Sequence, residues 1–178
     1  MTIRRRARVT ALTAFVLLGT AGAGVWAHAA GGDPADKDAA AAKARYIATV
    51  DALCVAAETA LEGQRVDTFA DEVAELAAAA RSMSGTAARI EAVPPPPADA
   101  ARLRREFVEP AKRMAARLTE DAGRADRAFR AGDRTTARKI IDGSLTANPL
   151  EENMRAFAER YGFRACAGQG AEDGDPEM

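Results

Sequence analysis

The sequence predicts an all-α protein: a four-helix bundle of two helical hairpins joined by a proline-rich crossover and closed by one disulfide. Three observations carry this. Between residues 39 and 167 the apolar side chains recur at intervals of three and four and nowhere alternate for more than a few residues, a helix rhythm rather than a strand rhythm. Pro94-Pro95-Pro96-Pro97 cuts that rhythm in two. Cys54 and Cys166, the only cysteines among 178 residues, stand towards its two ends.

The chain opens on Arg4-Arg5-Arg6 and Arg8, an uncharged stretch from Val9 to Ala27, and the small residues of Ala27-His28-Ala29. That is the order of a secretory signal, so residues 1–29 are expected to be removed on export, with cleavage after Ala27 as the alternative. The competing reading is an uncleaved membrane anchor, because the uncharged stretch matches the roughly 17–25 residues that span a bilayer. Its weakly apolar second half, Gly19 to Gly24, favours cleavage. The paired arginines leave Sec and twin-arginine routes both open. Residues 30–38 mix Gly, Pro and Asp and read as a disordered leader, and residues 168–178 as a disordered acidic tail.

In the first helix Ile47, Val50, Cys54, Ala57 and Leu61 share one face, with Gly63 as the break after it. Asp67 is the expected N-cap of the second, where Phe69, Val73, Leu76, Ala80, Met83, Ala87 and Ile90 form the inward stripe. The proline run ends that helix, since each ring removes a donor and restricts the residue before it. At roughly 3.1 Å per residue it makes a stiff spacer of about 12 Å across one end of the bundle, a use preferred over that of a proline-rich ligand.

The third helix is expected from about Asp99 to Arg130, with Leu103, Phe107, Ala111, Met114, Leu118, Ala125 and Phe129 inward and a kink at Pro110. Ala131-Gly132-Asp133 supplies a stop and the next N-cap. The fourth uses Ala137, Ile141, Leu145, Phe157 and Tyr161, with a break near Asn148-Pro149, and closes at Tyr161-Gly162-Phe163 on a left-handed glycine.

Cys54 lies on the inward face of the first helix and Cys166 follows the end of the last, so a closed bundle brings them together. An exported chain meets an oxidising compartment, which favours a bridge over the competing reading of two buried thiols. The loop would hold 113 residues, and closing a loop of that size stabilises by at most about 4–5 kcal/mol in the chain-entropy model.

At Tyr46-Ile-Ala-Thr-Val-Asp-Ala-Leu-Cys54, the proline run, and Tyr161-Gly-Phe-Arg-Ala-Cys166, the chain resembles a loose group of small exported helical proteins from actinobacteria. Its members have a first-helix cysteine, a proline-rich turn and a closing Gly-apolar-x-x-Cys segment, and are mostly of unknown function. The resemblance covers about Arg45 to Cys166 and implies a fold and a location, not an activity. Many members carry a lipidated cysteine after the signal, and this chain has none there.

Without residues 1–29 the chain loses His28 and Trp26 and keeps 21 basic and 26 acidic residues, a net charge of −5. That balance excludes histidine-based nucleophilic or metal chemistry from the exported form and argues against a nucleic-acid partner. Lys139 and Ser144 are about 140° apart on a helix and do not make a serine-lysine pair. The acids have basic neighbours, as in Arg105-Glu109-Arg113, Glu120-Arg124, Asp126-Arg130 and Glu151-Arg155-Glu159, a solvated face laced by weak ion pairs. Glu172, Asp173, Asp175 and Glu177 lack the spacing of a calcium loop. Tyr46, Tyr161 and Met114 are residue types that ligate haem, but core or boundary roles explain them, so no cofactor and no metal are expected.

Charge is uneven: residues 98–132 hold nine bases and six acids between two acidic neighbours. Arg104, Arg105, Arg113 and Arg124 lie off the apolar stripe and are the candidate partner surface. The expected function is that of an exported, monomeric, non-catalytic module, secreted or held in the cell envelope, that binds an extracytoplasmic protein, an envelope component or a small ligand. No membrane span is expected after cleavage. The alternative is a carboxylate-based enzyme or a small-ligand or haem carrier of the envelope; a deep cleft with two acids lacking basic neighbours would favour the enzyme.

Overall fold

A computed structural model describes residues 33–62, 65–144, 146 and 148–168. The signal-like segment, the first residues of the leader, Gly63, Leu145 and the tail beyond Gly168 lie outside the described residues. All regular structure among those described is helical: α1 (Pro34–Thr59), α2 (Phe69–Ala92), α3 (Ala100–Leu103), a π-helical segment (Arg104–Val108), α4 (Glu109–Arg130), α5 (Arg134–Ser144), α6 (Pro149–Tyr161) and a 3-10 turn (Ala165–Ala167). None of the described helices is long and apolar enough to cross a membrane.

Four of the helix starts have a local side-chain cap. Helix α1 begins at Pro34, inside the stretch expected to be a leader, because the Asp33 carboxylate accepts the Ala35 N–H at 3.0 Å and Pro34 occupies a position whose N–H would have no partner. Thr68, not Asp67, caps α2. Its hydroxyl oxygen accepts the Asp71 N–H at 3.2 Å, and Asp71 Oδ2 accepts the Thr68 N–H at 2.8 Å, a reciprocal capping box that Asp67 has no spacing to make. Asp133 caps α5 through the Thr136 N–H at 3.0 Å. The Asn148 side chain caps α6 by accepting from Leu150 and Glu151, with Pro149 next, at the expected break.

The kink expected at Pro110 takes the form of the π segment one turn earlier. Proline offers no N–H and its ring crowds the carbonyl four residues back, here that of Glu106. The helix relieves this by widening, and the Glu109 N–H bonds to the Arg104 carbonyl five residues back. The extra residue shifts the phase of α4, so Val108, Pro110, Ala115, Ala122 and Ala125 are buried while Ala111, Met114 and Leu118 are half-buried.

α2 packs most extensively on α4 and α4 on α5, and α1 lies on α2 and on the 3-10 turn. Two apolar clusters result. One gathers Val73, Leu76, Ala80, Ala122, Ala125 and Ile141. The other centres on Tyr46, Val50, Phe107, Phe157, Tyr161 and Phe163, where the Phe107 and Phe163 rings stack at 4.7 Å. α6 ends as expected on Gly162 at φ +106°, and the Phe163 N–H returns to the Ala158 carbonyl at 2.9 Å, which folds the buried Phe163 back onto the helix.

Candidate functional site

Cys54 and Cys166 form a disulfide with their Cα atoms 5.3 Å apart. Beside it the Asp51 carboxylate accepts the backbone N–H groups of Arg164 at 3.0 Å and Cys166 at 3.3 Å. The segment after α6 is thus held to α1 by one covalent link and two charge-assisted hydrogen bonds. Next to it the Tyr161 hydroxyl donates to Asp99 Oδ2 at 2.8 Å, and the Lys43 ammonium lies 4.3 Å from the centre of the Tyr161 ring. Burial, and then the accepting Asp99 carboxylate, push the Tyr161 phenol well above its ordinary pKa. A phenol held protonated in this way is a poor ligand for haem iron, which needs the phenolate.

The four arginines of the candidate surface divide into two groups. Arg113 and Arg124 are eleven residues apart on α4 and share a face; Arg117 and Arg127 fall within the same arc of about 80°. All four are exposed. Arg105 precedes them in the π segment and pairs with its neighbour Glu106 at 2.7 Å. Arg104 stands apart, with its Nε 3.5 Å from Glu109, and lines a separate cavity. Pairing departs in detail from the spacing argument: Arg124 meets Asp121, and Glu109 meets Arg104 and Lys112, while Arg130 meets Asp126 as expected. Among the described residues no ion pair links Glu151, Arg155 and Glu159.

On this element Asp121 lies inboard of the arginines that flank it, while Glu120 is exposed within their arc. The Asp121 side chain is 15 % exposed, whereas Arg117 and Arg124, which flank it at 3.8 and 3.4 Å, are 56 % and 52 % exposed. The Asp121 carboxylate meets Arg117 Nε and Arg124 Nη1, yet both side chains stay more than half exposed, and with Arg113 and Arg127 they outnumber the exposed Glu120, so the outer surface of α4 is cationic.

A cleft of about 580 Å³ opens between α2, α4 and α5 and reaches the start of α6. Leu76, Met83, Met114, Leu118 and Ile141 give it an apolar floor, and Glu72, Glu75, Asp121, Glu151 and Arg117 surround them. Glu72 is bound by Arg138, and Asp121 by Arg117 and Arg124. Glu75 and Glu151 make no ion pair with any described residue. Ser144, also in the wall, donates its hydroxyl to the Ile140 carbonyl at 2.9 Å, the resting bond of a helical serine rather than that of a nucleophile. This cleft was not legible from the sequence, because it arises from the spacing of three helices. The half-buried Met83 and Met114 were its only local sign.

Comparison with protein-family models, with curated proteins and with solved structures yields no match.

Proposed function

We propose that this protein is exported, loses its N-terminal segment, and acts as a non-catalytic extracytoplasmic binding module in which two helical hairpins, joined by the proline crossover, make a four-helix bundle. Its partner is an acidic extracytoplasmic protein or envelope component that meets the outward arginines of the third helical element. The observation that carries this reading is the row of Arg113, Arg117, Arg124 and Arg127, exposed on one face of α4 and outnumbering the one exposed acid, Glu120, within it. A disulfide and the absence of a membrane-spanning helix among the described residues are compatible with the location.

The test is retention of the protein on immobilised poly-L-glutamate. Retention should weaken as salt shortens the screening length to about 8 Å and below, and should be lost on reversing Arg105, Arg113 and Arg124 to Glu with an unchanged helical circular dichroism spectrum. Retention indifferent to salt and to charge reversal removes this face as the partner surface. The second reading, a small-ligand carrier or carboxylate-based enzyme, draws on the cleft and on Glu75 and Glu151 in its wall. Turnover of a substrate by the pure protein, abolished by Glu75→Gln or Glu151→Gln, would favour that enzyme.

A further inference from the structure

A second cavity, of about 490 Å³, opens beside the π segment. Tyr46 of α1, Ile90 and Val93 at the end of α2, Pro95 of the proline run, and Leu103 and Arg104 line it. Its wall is therefore largely apolar, with a phenol and a guanidinium as its distinctive polar groups. Glu91 is also at the wall, but its carboxylate is held by the Lys112 ammonium at 2.7 Å.

Tyr46 is the informative residue. It is only 4 % exposed, yet its hydroxyl makes no hydrogen bond with any described residue. Tyr161, equally buried, donates to Asp99. A hydroxyl sealed from water without a partner would be costly. Among the described residues no side-chain oxygen or nitrogen that is fully sealed from solvent lacks a partner, so the Tyr46 hydroxyl retains some access to solvent, and Tyr46 itself lines the cavity. The Tyr46 phenol is protonated at neutral pH and offers a donor, and burial pushes its pKa up further.

Arg104 opens the π segment, the widened turn that Pro110 imposes. Its side chain is 76 % exposed and its single ionic contact, through Nε to Glu109 at 3.5 Å, leaves both terminal nitrogens without an ionic partner among the described residues. A guanidinium with two unpaired nitrogens matches the two oxygens of a carboxylate.

We infer that this cavity binds a small monocarboxylate with an apolar body, whose oxygens take the Arg104 guanidinium and the Tyr46 hydroxyl while its body lies against Ile90, Val93 and Leu103. The inference stands apart from the acidic-partner reading, because Arg104 faces this cavity and does not belong to the row of Arg113, Arg117, Arg124 and Arg127.

The test titrates the full-length chain calorimetrically with octanoate, octanol and octyltrimethylammonium. Octanoate should bind with a stoichiometry of one and about tenfold more tightly than octanol, the difference expected of a charge-assisted contact, with the ammonium weakest. Arg104→Gln should reduce octanoate affinity by about tenfold and leave octanol unchanged. Tyr46→Phe should weaken octanoate roughly three- to tenfold. Should Tyr46→Phe disturb the core, Ala101→Trp replaces it: Ala101 is exposed on the cavity wall, and an indole there should block octanoate without touching the core. Octanoate that shows no saturable binding, binds no better than octanol, or is indifferent to both Arg104→Gln and Ala101→Trp would overturn the assignment.

Discussion

Asp51 Oδ1 accepts the backbone N–H of Cys166 at 3.3 Å, across 115 residues of sequence. A carboxylate on α1 thereby orients the cysteine that bonds to Cys54 on the same helix, and the Arg164 N–H, bound to the other oxygen at 3.0 Å, fixes the approach. Replacing Asp51 by Ala strands both donors. It should cost about 1–3 kcal/mol in urea denaturation with the disulfide intact, and Asp51→Asn, which keeps an acceptor for one of them, should cost less.

The bridge itself has a sequence separation of 112 residues. Cys54→Ala with Cys166→Ala should lower stability by up to about 4–5 kcal/mol, since the reduced chain regains the loop entropy the bridge removes. The helical circular dichroism signature should persist at low temperature, because the apolar cluster of Val73, Leu76 and Ile141 makes no use of the bridge.

Tyr161 sets an alkaline limit. Its pKa is raised in the folded state, first by burial and then by Asp99, so between the unfolded value of about 10 and the folded value the native state holds a proton that the unfolded state has lost. The stabilisation is complete below about pH 10 and declines as pH rises above it. Urea midpoints measured from about pH 8 to about pH 11 should fall, and Tyr161→Phe should flatten that fall while lowering the midpoint throughout.

Gly162 holds φ at +106°, and a Cβ placed there would meet Ile47 Cδ1 at 3.4 Å. Gly162→Ala should cost about 1–2 kcal/mol from the left-handed backbone alone, and chemical denaturation would register it.

Features whose cause is local were legible in the sequence. The stripe from Val73 to Ile90, the break at Asn148-Pro149 and the glycine turn before Phe163 are written in spacing or residue type, and the structure has them. The Cys54 and Cys166 pair was legible from chemistry and closure. Two helix starts were misplaced although their signals were present: Asp33-Pro34 is a cap followed by a first-turn proline, and Thr68 with Asp71 three residues on is a capping box. The π segment was not legible, because Pro110 says that a helix must yield but not how, and the resulting phase shift moved the buried face from Ala111 and Met114 to Pro110 and Ala115. The Asp51 contacts, the cleft and the unpartnered Tyr46 hydroxyl depend on distant elements meeting, and no local pattern encodes them.

Export and closure by the disulfide are the two properties on which the proposed role rests, and intact-mass spectrometry reads both at once. The protein is recovered from its native host, denatured without reductant and treated with an alkylating agent. The expected species starts at Ala30, or at His28 if cleavage is after Ala27, and takes up no alkyl group. A chain that still begins at Met1, held in the membrane, with Cys54 and Cys166 both alkylated, would be incompatible with an exported, disulfide-closed module.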